Sequence, residues 1–287
     1  MYRSNNILAL IPPNSNGEKI LNQAVFFQQT LEMRIFIMNI IEEANFLKRI
    51  LFSGKAKQDK INALRDQYKF VEECTGGKIP ENLIIRVKSG KKLPILVSQS
   101  KKGGYEFMIL DRSEAEDGLN RYEIDKIISR SFCPVMTINK DYPVTSIKKI
   151  IIPVDISQTT KKKLLWATYF AKKYNAKIEI VSALNIKLSQ GRSLVWKNAE
   201  HLKYLLSERK VDCDVKILKT QSHERDKLIL DHIQSEKPGL VIIRTHQESN
   251  MSGTRIGKFV SEIVHGCKMP VFTVNRFLYP MPTDFEY

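Results

Sequence analysis

The sequence predicts an α/β protein built as two tandem doubly wound domains, each a mostly parallel sheet covered by helices on both faces. Three observations predict it. The length of 287 residues is that of two ordinary domains, since single cores usually stop growing near roughly 100 to 200 residues. Short apolar runs alternate with segments of helical periodicity, which implies right-handed crossovers between parallel strands. The chain also repeats itself in order. "NNILALIPPNS" (5–15) resembles "KKIIIPVDIS" (148–157), each an apolar run containing Ile-Pro. "QAVFFQQTLEMRIFIMNI" (23–40) matches "WATYFAKKYNAKIEIVSA" (166–183), and "FCPVMTIN" (132–139) matches "KMPVFTVN" (268–275).

The elements read most clearly in the second half. "IIIPV" is a continuous apolar run suited to a strand buried on both faces, and "TTKKKLLWATYFAKKY" then places apolar residues at helical spacing behind a threonine-rich start. There follow "KIEIVSAL" as a strand, "LVWKNAEHLKYLLSERK" as a helix, "DVKILK" as a strand and "ERDKLILDHIQSEK" as a helix. "GLVIIR" is a strand, "GKFVSEIVHG" a helix and "PVFTVN" a last strand, giving five strands. The first half keeps the same order, with a long helix-rich insertion over residues 42–73. A linker is expected near residues 140–147, dividing the chain into domains at 1–143 and 144–276 with a tail at 277–287.

Several classes of function are excluded. The longest apolar runs, such as "RIFIMNII", fall far short of the roughly 18 to 20 residues of a membrane helix. The apolar run near the N-terminus is too short for a signal-peptide core, so a cytoplasmic location is expected. Cys74, Cys133, Cys213 and Cys267 lack the spacing of a zinc site or a disulfide frame and are expected to be reduced, structural thiols. All five histidines lie in the second half, but none forms a ligand pair at helical spacing, so no metal is expected. Pairings such as Ser222 with His223, or Ser249 with His246, lack a nucleophile-elbow motif, and no catalytic residue is expected.

The loop "VIIRTHQESNMSGTRIGK" (241–258) runs from a strand into glycines at Gly253 and Gly257 just before a helix, the layout of a phosphate-cradling loop. Together with "IIPVDIS", "THQES" and "MPVFTV", it makes the chain resemble the universal stress protein family in tandem form, more closely in the second half. That resemblance implies a five-stranded sheet of order 3-2-1-4-5 in each domain and pairing of the domains through their final strands. Two such strands in one chain, opening at Pro134 and Pro270 and closing at Ile138 and Val274, allow an internal pseudo-dimer or a homo-oligomer.

Nucleotide-binding members of that family carry the motif G-x2-G-x9-G-[S/T]. On this chain it falls on Arg244, Gln247, Gly257 and Lys258, so the spacing survives but only one residue type does. Glycine is needed because backbone amides must approach phosphates closely. The aspartate that contacts adenine in the family is matched by Asp155, although an aspartate there also serves as a helix cap. In the first half Asn14 falls near that place, and the loop carries Asp111, Glu114, Glu116 and Asp117 instead of glycines. The resemblance thus implies a stress-response binding or regulatory protein, not an enzyme, with no cofactor bound in the usual way.

Two alternatives remain open. The degenerate second site, Asp155, Arg244, Gly253, Gly257 and Lys258 with His246 and Arg255 nearby, would hold ATP or another phosphorylated or anionic ligand. The net charge of +15, split as +5 over residues 1–143 and +10 over 144–287, would otherwise draw nucleic acid. The lysine runs lack interleaved aromatics, so nucleic acid is not the expected partner.

Overall fold

The computed structural model describes residues 5–41, 53–102, 104–113, 118–154, 161–185, 193–221, 224–245 and 256–275. In the first half, β1 (Asn6–Leu10), α1 (Ser15–Leu31), β2 (Arg34–Ile41), α2 (Ser53–Cys74), β3 (Leu83–Ser89), α3 (Lys92–Lys102), β4 (Phe107–Asp111), α4 (Arg121–Arg130) and β5 (Val135–Ile138) alternate as expected. The second half repeats the order with β6 (Lys149–Pro153), α5 (Lys161–Tyr174), β7 (Lys177–Asn185), α6 (Leu194–Ser207), β8 (Cys213–Thr220), α7 (Arg225–Glu236), β9 (Leu240–Arg244), α8 (Lys258–Gly266) and β10 (Val271–Val274).

All ten strands form one sheet in the order β3-β2-β1-β4-β5-β10-β9-β6-β7-β8. Each half is parallel with order 3-2-1-4-5. The halves meet where β5 and β10 pair antiparallel, with Val271 opposite Thr137 and Thr273 opposite Val135. The final strands therefore pair within one chain, each covering an edge that would otherwise be open to another strand. That antiparallel join also places the carboxyl ends of the two half-sheets, where ligands of such folds sit, at opposite ends of the molecule.

The sheet is buried on both faces by two apolar layers that run through both halves. One contains Ile7, Ala24, Phe27, Phe107, Trp166, Phe170 and Phe272; the other contains Leu8, Met108, Ile127, Val241, Val260 and Ile263. Alternate strand residues feed opposite layers, as the period-two geometry of a strand demands. The helices bury narrow stripes in return. In α1 these are Ile20, Ala24, Phe27 and Leu31, spaced by three or four residues.

The helix ends preserve the repeat at the level of single dihedrals. Glu32 and Asn175, 143 residues apart, both take left-handed backbone after α1 and α5, with φ of 56° and 49°. The next residues, Met33 and Ala176, donate their N–H groups back to Gln28 and Ala171 carbonyls at 3.1 and 2.8 Å, which stops each helix and turns the chain into its strand.

The same offset corrects one sequence reading. Ile11 N–H bonds Met38 O and Val154 N–H bonds Val181 O, each at 2.9 Å, so Ile11 corresponds to Val154. The Ile-Pro dipeptides are thus two residues out of register, and Pro12 rather than Asn14 stands at the position of Asp155. Asn14 instead caps α1, its Oδ1 accepting from Gly17 N–H at 2.9 Å.

Candidate functional site

The expected second-half site is held by the carboxyl end of β9 and the start of α8. Arg244 closes β9 opposite Val274, half-buried, and Thr245 follows it, buried, with its N–H on Val274 O at 3.1 Å. Gly257 is the N-cap of α8 in extended backbone (φ −63°, ψ 155°), with no side chain to cap the helix. Lys258 begins the helix with its side chain 83% exposed and its Nζ 3.6 Å from Glu262 one turn on. Its charge is therefore directed along the helix surface. Asp155, His246, Gly253 and Arg255 lie outside the described residues, as do Glu114, Glu116, Asp117 and the tail at 277–287.

In the first half the carboxyl ends of β1, β2 and β4 surround a cavity of about 500 Å³. Leu10, Pro12, Pro13 and Ile20 form its β1–α1 wall, and Ile40, Ile41, Ala63 and Leu119 supply further aliphatic surface. Asn14, Asn16, Asn39, Lys92 and Asp111 are its polar lining. Asp111 ends β4 opposite Ile138 just as Arg244 ends β9 opposite Val274, so the two halves carry opposite charges at one equivalent position. The Asp111 carboxylate accepts from Ser113 N–H at 3.3 Å and Lys140 N–H at 3.1 Å, which holds it across the strand end.

The wall beside β1 is tightly set. A Cβ on Gly17 would lie 1.7 Å from Pro12 O, so only glycine lets α1 start this close to the strand end. Sequence reading concentrated on the second half, yet among the described residues this cleft belongs to the first. Its lining comes from six separate stretches of chain whose residue types are individually ordinary, so no local motif announces it.

Two side-chain clusters were also not anticipated. At the amino end of β6 and β7, His232 Nε2 lies 2.6 Å from Glu179 Oε1, and Lys149 Nζ lies 3.0 Å from Glu179 and 2.6 Å from Glu236. One histidine nitrogen and two carboxylate oxygens gather within 4.8 Å, a set that could ligate a metal. The Lys149 ammonium already bridges both carboxylates, so the cluster works as a compensated ion-pair network. Burial acts to lower the Lys149 pKa, but the hydrogen bonds it donates to Glu236 and Glu179 outweigh that and raise the value, while the Lys149 contact lowers that of Glu236.

The second cluster binds the halves together. Asp125 of α4 accepts from Ser261 Oγ at 2.9 Å and meets His265 Nε2 at 2.8 Å, both on α8. The carboxylate stands between the other two groups, an order unlike that of a serine nucleophile activated by histidine. Ser222, His223, His246 and Ser249 lie outside the described residues. All four cysteines are free of disulfides, and burial pushes the Cys133 and Cys213 thiols up to about 12, which keeps them protonated and inert at neutral pH. Among the described residues no helix is long and apolar enough to cross a membrane.

Residues 146–275 match the model described as the universal stress protein family. No curated protein matches the chain. Among solved structures, a universal stress protein from Archaeoglobus fulgidus aligns over 96% of this chain and 100% of its own, at a TM-score of 0.72 and 14% identity. A Pseudomonas aeruginosa protein described as a candidate universal stress protein aligns over 94% of this chain and 93% of its own, with a TM-score of 0.64 and 15% identity. A Pseudomonas aeruginosa protein of unknown function gives 94% and 92%, a TM-score of 0.62 and 15% identity. The chain thus has the universal stress protein fold over nearly its whole length.

Proposed function

We propose that this chain is a tandem member of the universal stress protein family, with domains at 1–143 and 144–276. On this reading neither half binds ATP in the family's manner, and the protein serves stress responses as a binding or regulatory module in the cytoplasm, not as an enzyme. The observation that carries the reading is the pair of side chains at the ends of β4 and β9. Asp111 and Arg244 stand where a phosphate-cradling loop calls for glycine. A carboxylate there repels phosphate, and a guanidinium takes the space that backbone amides would give it. Lys258 replaces the hydroxyl of the motif's last position and leans on Glu262.

A second reading, anion binding at the second half, is favoured by the uncapped helix start at Gly257 near the strand that Arg244 ends. Restoring the motif separates the two. The triple variant Arg244→Gly, Gln247→Gly, Lys258→Ser should gain ATP affinity in equilibrium dialysis while the parent retains no ATP. Tight ATP binding by the parent, lost in the variant, would favour the anion site instead.

A further inference from the structure

We propose that the first-half cleft is a binding site for a compact, uncharged and mainly apolar ligand. A cavity of about 500 Å³ lies within the roughly 300 to 1,000 Å³ of small-molecule sites. Its chemistry is divided in the way such sites are. Aliphatic groups from Leu10, Ile20, Ile40 and Leu119 offer surface whose removal from water drives binding, and the amides of Asn16 and Asn39 offer both donors and acceptors to orient the ligand. Among the described residues the lining carries one charge of each sign, Lys92 and Asp111, so these two do not select for an ionic ligand.

The β1–α1 wall in particular offers phosphate no backbone cradle among the described residues. Pro12 and Pro13 have no N–H to donate, and the Gly17 N–H at the start of α1 is already taken by Asn14 Oδ1. Asp111 adds a carboxylate at the end of β4. The close approach of Gly17 to Pro12 O and the paired prolines fix the β1–α1 wall before any ligand arrives, so little ordering cost opposes binding. The inference rests on the preceding reading only where phosphate is denied a place; the identity of the ligand class is independent of it.

The test uses Nile red, a neutral apolar fluorophore, titrated into the full chain. One molecule per chain should bind, with no displacement by millimolar ATP or inorganic phosphate. Ala63→Trp, which fills the cleft from α2, should weaken that binding roughly tenfold or more, while Lys197→Ala, at an exposed position of α6 in the other half, leaves it unchanged. Asn16→Trp, at a half-buried lining position, makes the same block should Ala63→Trp fail to fold. Nile red binding that is absent, or that survives Ala63→Trp or Asn16→Trp in a folded chain, would overturn the inference without touching the nucleotide reading. Displacement by ATP would overturn both.

Discussion

Arg112 shows what one residue does for the join between the halves. It is buried, and its guanidinium donates to Thr137 O at 2.6 Å, to Thr137 Oγ1 at 3.1 Å, to Met269 O at 2.6 Å and to Cys267 O. Burial lowers its pKa to about 10, which still leaves it charged at neutral pH. The repeat meets the same need differently on the other side: Asn275 Nδ2 donates to Ser131 O at 2.6 Å and Cys133 O at 2.8 Å, carbonyls that correspond to those of Cys267 and Met269. Arg112→Met should strand the carbonyls of both halves and cost about 2 to 4 kcal/mol, read by urea unfolding; a loss under about 0.5 kcal/mol would contradict this role. Nothing in the sequence marked Arg112, because its partners, most of them backbone carbonyls, lie 25 to 157 residues away.

Ion pairs near the surface act more weakly but set a pH dependence of definite sign. Hydrogen bonds from Lys149 to Glu236, and from Lys19 and Lys140 to Asp141, hold those carboxyls below their ordinary values of 4.5 and 3.8. In acid the unfolded chain therefore binds more protons than the folded one. Their contribution is complete above those ordinary values and is lost as pH falls through the lower folded ones. Melting temperature measured from pH 6 downward should fall below about pH 4.5 and fall less in Lys149→Met.

At the scale of elements, an aromatic cluster crosses between the halves. Phe272 on β10 places its ring 4.9 Å from those of Trp166 and Phe170 on α5 and 5.6 Å from Phe107 on β4 of the first half. Phe272→Ala would remove a fully buried ring from both halves at once and should cost about 3 to 5 kcal/mol in denaturant unfolding. The elements themselves were legible because periodicity is a local property. "KIEIVSAL" and "GKFVSEIVHG" became β7 and α8 nearly to the residue. Register was less legible. Two Ile-Pro dipeptides suggested one alignment, while the hydrogen bonds of Ile11 and Val154 fix another. A shift of two residues preserves the inward and outward alternation of a strand, so hydrophobic pattern alone cannot detect it.

For the whole molecule, the internal repeat made the tandem sheet readable, and pairing of β5 with β10 follows from it. The cleft in the first half was not readable, since the volume arises from how β1, β2, α2 and the chain around Leu119 meet. Arg244 at a glycine position of the motif and Lys258 at its hydroxyl position are legible in the sequence, and the structure puts them at the end of β9 and on the surface of α8. The central claim is that neither half binds ATP as the family motif would. Isothermal titration of ATP into the intact chain tests it most directly. The account predicts no saturable heat at nucleotide concentrations up to about a millimolar, an affinity weaker than about −4 kcal/mol. Saturable binding with micromolar affinity would contradict it.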